Sequence, residues 1–245
     1  QFAAPASITL TASASDSDGT IAQVQFFRGS TSLGVDTTSP YSVTWSGAPT
    51  GSYALTAVAT DNRGAVVASA PVTVKVTATL PPTADSYVRA ANANSNFGTA
   101  TTVTVQQGSS NSNIRWTYMK FDLTSVPTIS NAKVRVFGAV SATTGATIQT
   151  AVYPVSNTAW SETGLTWNNK PATGTTALAT VTIVSNSKTA RWYELDVTAY
   201  LQAEKAAGRN VVTLAFKNLA NSTPYVSFTS REGTAANRPQ VLVVP

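Results

Sequence analysis

Apolar and polar positions alternate in short runs along nearly the whole chain, and a period of two predicts β-strands. In the first eighty residues the runs cover 8–12, 21–28, 41–45, 52–60 and a pair within 65–76. They stop at turn-forming clusters: Asp16-Ser17-Asp18-Gly19, Gly29-Ser30-Thr31, Ser46-Gly47 and Asp61-Asn62-Arg63-Gly64. Roughly seven strands about ten residues apart, without a helix signal, predict an immunoglobulin-like β-sandwich over residues 1–79. Val24, Phe26, Val43, Trp45, Leu55 and Val58 are its expected core. Thr77 to Thr83 marks a boundary, because Pro81-Pro82 stiffens the link and stops strand pairing. Beyond it, strands are predicted at 87–89, 101–107, 115–123, 132–140, 147–154, 177–184, 191–197, 211–217, 225–230 and 240–244. Only 197–208 has a helical pattern, closed by Gly208. This density of strands predicts two packed antiparallel sheets, a jelly-roll sandwich over 83–245. The fold class is all-β.

One strand stands out. In 115–123, Met119, Phe121 and Leu123 share one face, while Trp116, Tyr118 and Lys120 share the other. Two aromatics and a cation in a row suit a sugar, whose C–H groups pack on ring faces while its hydroxyls donate and accept hydrogen bonds and its carboxylates accept them. A two-sided central strand with its outer aromatics under a loop would read the same way.

Composition narrows the chemistry. The 245 residues include no Cys and no His, which removes thiolate chemistry, disulfides, the commonest general base and the commonest transition-metal ligand. No apolar run approaches the ~18 residues of a membrane helix. Gln1-Phe2-Ala3-Ala4-Pro5 has no charged leader region and reads as a cut inside a longer polypeptide. Net charge is +5, unevenly placed. Residues 1–82 carry three basic and four acidic side chains, whereas 83–245 carry 13 basic and 7 acidic. The excess in the second half favours polyanionic partners. Without a dense Lys/Arg run or a nucleic-acid motif, an acidic polysaccharide is expected and nucleic acid is not.

Particular segments also resemble known families. Ala14-Ser-Asp-Ser-Asp-Gly19, Val24-Gln-Phe-Phe27, Thr38-Ser-Pro-Tyr41 and Ala59-Thr-Asp-Asn-Arg-Gly64 resemble the bacterial Ig-like domains of secreted multidomain proteins. That likeness implies a spacer. Asp16, Asp18 and Asp61 are turn-formers or calcium ligands there. In the second half, Ala84-Asp-Ser-Tyr-Val88, Asn96-Phe-Gly98, Lys120-Phe-Asp-Leu123, Ala159-Trp-Ser-Glu162, Thr166-Trp-Asn-Asn-Lys-Pro171, Asp196-Val-Thr198, Ser230-Arg-Glu232 and Arg238-Pro239 occur in order. Together they resemble the DNRLRE domain, whose members include the alginate-binding carbohydrate-binding module family ninety-six. The resemblance implies a jelly-roll appended to secreted polysaccharide-degrading enzymes, and does not fix the ligand.

Strand alternation nominates the binding residues. Lys133 and Arg135 point away from Val134 and Val136; Lys217 points away from Leu214 and Phe216; Tyr225 and Arg231 flank an inward Val226 and Phe228. If these strands neighbour 115–123, Trp116, Tyr118, Lys120, Lys217, Tyr225 and Arg231 gather on one face, with Lys133 and Arg135 as further cations. Otherwise they are scattered solubilising charges. Trp160 and Trp167 sit in a loop, as sugar platforms or as packing over the end of the sandwich; Glu162 is expected to cap N–H groups in that loop. Asp85, Asn96 and Glu232 are candidate ligands for a structural calcium, although hydrogen bonding explains Asp85 and Asn96 as well.

The expected function is therefore a secreted, extracellular, monomeric and non-catalytic fragment. It would hold a covalently linked catalytic domain on a polysaccharide such as alginate or pectin. The alternatives are a polysaccharide lyase working through Tyr118, Lys120 and Arg231, and a structural or adhesive module without a glycan site.

Overall fold

The computed structural model describes residues 2–110, 113–142, 145–185 and 188–245. The chain divides into two compact units, Gln1–Ala78 together with Val244–Pro245, and Thr79–Val243. The first unit is built from β1 (Phe2–Ala3), β2 (Ala6–Ala12), β3 (Ile21–Arg28), β4 (Thr31–Asp36), β5 (Tyr41–Ala48), β6 (Gly51–Asp61), β7 (Val66–Ala68) and β8 (Val72–Leu80). Strands β2 and β5 form one sheet; β8, β6, β3 and β4 form the other, with β7 on β6 and β1 on β8. The alternation read from the sequence explains the layering, since Ile8, Val24, Phe26, Trp45, Leu55 and Val76 turn inward and are buried. Val43 and Val58 are only half-buried. Strand β4 falls between the Gly29-Ser30-Thr31 turn and the run at 41–45, where no strand is predicted, and β8 persists to Leu80, so Pro81-Pro82 end a strand rather than lie inside a linker.

The second unit contains β9 (Ala84–Arg89), β10 (Thr102–Val105), β11 (Arg115–Asp122), β12 (Asn131–Val140), β13 (Thr147–Val155), β14 (Ala179–Val184), β15 (Arg191–Asp196), α1 (Thr198–Ala206), β16 (Val211–Asn218), β17 (Val226–Thr229) and β18 (Gln240–Val244). One antiparallel sheet has the order β14-β13-β16-β11-β9; the other runs β10-β17-β12-β18, with β15 also on β12. Their facing sides supply an apolar core of Val103, Val105, Met119, Phe121, Val134, Val136, Leu214, Phe216, Val226 and Phe228. The protein is thus an Ig-like sandwich followed by a jelly-roll sandwich. Helix α1 follows Asp196, whose Oδ1 accepts the Thr198 N–H at 2.8 Å. It anchors through Leu201, which is fully buried, and closes at Gly208 with φ +74°. No helix among the described residues is long and apolar enough to cross a membrane.

Candidate functional site

The outer face of β11 is not open. Trp116, Tyr118 and Lys120 do project from the side away from Met119 and Phe121, and β16 lies beside them in register, placing Ala215 opposite Tyr118. The segment 156–178, however, packs over this face. Trp160, Leu165 and Trp167 join Val88, Tyr118, Val155 and Ala215 in a second apolar cluster. Tyr118 is fully buried; its phenol donates to the Pro171 carbonyl at 3.0 Å, and burial pushes its pKa upward. Lys120 donates to the Trp160 carbonyl at 2.6 Å and lies 4.7 Å from that indole. The Trp160 indole N–H in turn donates to Thr213 Oγ1 at 3.1 Å. Tyr118 and Lys120, expected to face a sugar, are committed to holding down a loop. Of the two alternatives for Trp160, the packing one describes its surroundings.

At the far end of the face the cover thins. Trp116 and Trp167 are half-buried, with ring centroids 5.1 Å apart and tilted by 52°. The Lys217 ammonium sits 3.9 Å from the Trp116 ring and 4.9 Å from that of Tyr153. Lys170 lies 3.7 Å from Trp167 and 5.3 Å from Trp116. Each ammonium has one local acceptor, the Thr173 hydroxyl for Lys217 and the Trp167 carbonyl at 2.8 Å for Lys170. Among the described residues neither has a carboxylate within 4.0 Å. Burial lowers both lysine pKa values, and for Lys217 the charge of Lys170 adds to the effect. Since ammonium groups already cover the indoles, the patch offers paired cations on an aromatic base rather than bare stacking rings.

The remaining candidates lie elsewhere. Strands β12 and β17 belong to the sheet opposite β11, so alternation named the correct sides of the wrong sheet. Lys133 and Arg135 face Glu194 at 3.0 and 3.8 Å. Arg135 also covers Trp192 at 4.0 Å, and Trp192 meets Phe137 edge-on at 5.4 Å. Tyr225 accompanies Arg115, whose guanidinium lies 4.5 Å from its ring. The single face expected from Trp116, Tyr118, Lys120, Lys217, Tyr225 and Arg231 does not assemble. Lys170, Trp192 and Arg115 were not singled out. Lys170 was visible only within a family motif, and its nearness to Lys217 depends on how the loop folds back.

Arg231 is part of a carboxylate cluster. Its Nη1 donates to Glu162 Oε2 at 2.7 Å, its Nε lies 3.5 Å from Glu232 Oε1, and its backbone N–H donates to Asp85 Oδ2 at 2.7 Å. The Asp85 N–H donates to Glu162 Oε1 at 2.9 Å. Glu162 therefore caps a strand rather than its own loop. Burial, opposed by the Arg231 N–H and reinforced by the charges of Glu232 and Glu162, pushes Asp85 from 3.8 up to about 7. Asp85, Glu162 and Glu232 offer oxygens within 4.8 Å of one another. Asp85 Oδ1 and Glu232 Oε2 are buried without a hydrogen-bond partner. These orphaned oxygens fit a hard cation such as calcium, for which they would form part of a set of six to eight. Asn96 does not join them. Its amide N–H groups donate to the Glu162 and Leu165 carbonyls at 2.7 and 2.8 Å, and its Oδ1 accepts the Gly98 N–H at 3.0 Å.

Comparison with known proteins places these surfaces in context. Residues 76–245 match the model of carbohydrate-binding module family 96, and residues 1–57 match that of a bacterial Ig domain. A gellan lyase from Bacillus sp. is 34% identical over 194 residues, which cover 76% of this chain but 7% of the lyase. Among solved structures, the fibronectin(III)-like modules of Clostridium thermocellum CbhA are 35% identical, covering 31% of this chain and 81% of that one, with a TM-score of 0.29. Carbohydrate-binding modules of the β-sandwich superfamily align over 99% of this chain and 91% of theirs, at 14% identity and a TM-score of 0.37. Because the family model spans more than half of its length, the chain belongs to carbohydrate-binding module family 96.

Proposed function

We propose that this chain is a non-catalytic fragment that binds an acidic polysaccharide and, outside the cell, holds a covalently linked catalytic domain on that polymer. The observation that carries the reading is the pair Lys170 and Lys217, held over Trp116 and Trp167 with no carboxylate in ion-pair distance among the described residues. Desolvated, mutually repelling cations cost stability that an anionic ligand would offset. Alginate, pectin and gellan, the last taken from the name of the lyase relative, are the candidate ligands. A monomer is expected. The lyase reading loses support because Tyr118, Lys120 and Arg231 are each spent on different structural partners and do not converge. We also propose that Asp85, Glu162 and Glu232 hold a calcium ion that supports the fold rather than chemistry.

Affinity electrophoresis against alginate, pectin, gellan, xylan, chitin and β-glucan tests the reading. Retardation is expected in the acidic gels and not in the neutral ones. Retardation in none of them, or a sustained rise in absorbance from unsaturated products in solution, would overturn it.

A further inference from the structure

Arg89 ends β9 and Arg115 begins β11, and the antiparallel register sets them directly opposite each other. Like charges facing across a ladder repel. Proteins usually relieve such a pair with a carboxylate, yet among the described residues neither arginine has one within 4.0 Å. The Nε of each is buried and has no hydrogen-bond partner. Aromatic rings surround the pair. The Arg115 guanidinium lies 4.5 Å from the Tyr225 ring. Tyr87, two residues before Arg89, stacks on Phe97 with centroids 4.4 Å apart and planes within 17°. Burial lowers the Arg115 pKa and the charge of Arg89 lowers it further.

Two partly desolvated guanidinium groups, each with an unpartnered Nε and Arg115 also hydrogen-bonded to the Tyr225 side chain, match one ligand feature closely. A planar carboxylate can take two parallel N–H bonds from one fork and charge stabilisation from the second. A pyranose ring attached to that carboxylate would lie beside Tyr87 and Tyr225, each of which already has one ring face covered, by Phe97 and by Arg115. We propose that Arg89 and Arg115 form a subsite for the carboxylate of a uronate residue, with Tyr87 and Tyr225 flanking its ring. The proposal rests on the acidic-polysaccharide reading but names a different place from the lysine patch. Arg115 and Trp116 are consecutive on β11 and project to opposite sides, so the two patches flank the same end of one strand.

Calorimetric titration of the full chain with oligomannuronate, oligogalacturonate, a sulfated neutral oligosaccharide and a neutral glucan oligomer tests it. Arg89→Gln and Arg115→Gln should each weaken uronate binding roughly tenfold or more, the scale of a charge-assisted hydrogen bond. Arg89→Lys should fall between wild type and Arg89→Gln, because it keeps the charge and loses the fork. Lys75→Gln, which removes the same charge from the first unit, should bind as wild type does. If Arg115→Gln fails to fold, Arg89→Gln decides alone. Undiminished uronate binding by Arg89→Gln overturns the subsite and leaves the acidic-polysaccharide reading standing. Tighter binding of the sulfated oligomer overturns the carboxylate assignment. A wild type that binds only the neutral oligomer refutes both the subsite and the acidic preference, and one that binds nothing refutes polysaccharide binding as well.

Discussion

The two ends of β9 hold opposite solutions to the same problem. At one end Asp85, with Glu162 and Glu232, surrounds Arg231, whose charge is met at 2.7 Å by Glu162. The Glu162 hydrogen bond is the main reason the Arg231 pKa is raised. At the other end, Arg89 faces Arg115 with no counter-charge in reach among the described residues, and the Arg115 pKa is lowered. Asp85 and Arg89 are four residues apart and project to the same side of the strand, about 13 Å along it. A cation neutralised inside the fold contributes to stability and has little left for a ligand. One that is not neutralised costs stability and keeps its donors. Lys120, Lys170 and Lys217 resemble the second end: each has a neutral acceptor and an indole beside it, and among the described residues none has a carboxylate within 4.0 Å.

The largest expected effect tests the neutralised end. Glu162→Ala removes the acceptors of both the Asp85 N–H and Arg231, and should destabilise the second unit by about 2–4 kcal/mol in denaturant titrations. Arg89→Gln should leave stability unchanged or raise it. Equal losses for the two variants would erase the distinction.

A pH series sharpens it next. Folded Asp85 holds its proton up to about pH 7, whereas the unfolded chain releases it near 3.8. Between those values the folded state binds more protons, so stability should fall as pH rises, by at most about 1.4 kcal/mol per pH unit. Glu232, raised chiefly by burial, acts in the same direction. Asp85→Asn should flatten the slope, and a slope unchanged by that substitution would remove Asp85 as its source. Calcium at this cluster gives a third expectation. Chelator should lower the melting temperature by an amount worth ~1–2 kcal/mol without abolishing the fold, and added calcium should suppress the pH slope. An unchanged melting curve in excess chelator would discard the ion.

The smallest effect belongs to the lysine patch. Lys217→Ala should weaken acidic oligosaccharides by ~1 kcal/mol in calorimetry and leave neutral ones untouched, because Lys170 remains beside the same indoles. A loss of equal size for a neutral ligand would make Lys217 a packing residue.

Strand positions were legible because a period of two survives in a single sequence. The alternation of β12, with Ala132, Val134, Val136 and Val140 buried, follows its reading residue by residue. Which sheet a strand joins was not legible. Lys217 came to lie beside Trp116, but Tyr225, Lys133 and Arg135 went to the opposite sheet, because pairing depends on contacts between residues 86 to 99 positions apart. Nor could alternation foresee that 156–178 would cover β11, although Trp160, Leu165 and Trp167 supply the apolar groups that make the cover stable. The Arg89–Arg115 pair needs register, which neither arginine announces by itself.

The central claim is that unneutralised cations in the second unit read the carboxylates of a polysaccharide. Titrating the protein with one uronate polymer and with the same polymer after its carboxyl groups are reduced to alcohols isolates that term, since backbone and ring contacts are retained. The account predicts binding to the acid form that weakens steeply as salt shortens the Debye length towards ~3 Å at 1 M, and little or no binding to the reduced form. Equal affinity for both forms, insensitive to salt, would contradict it.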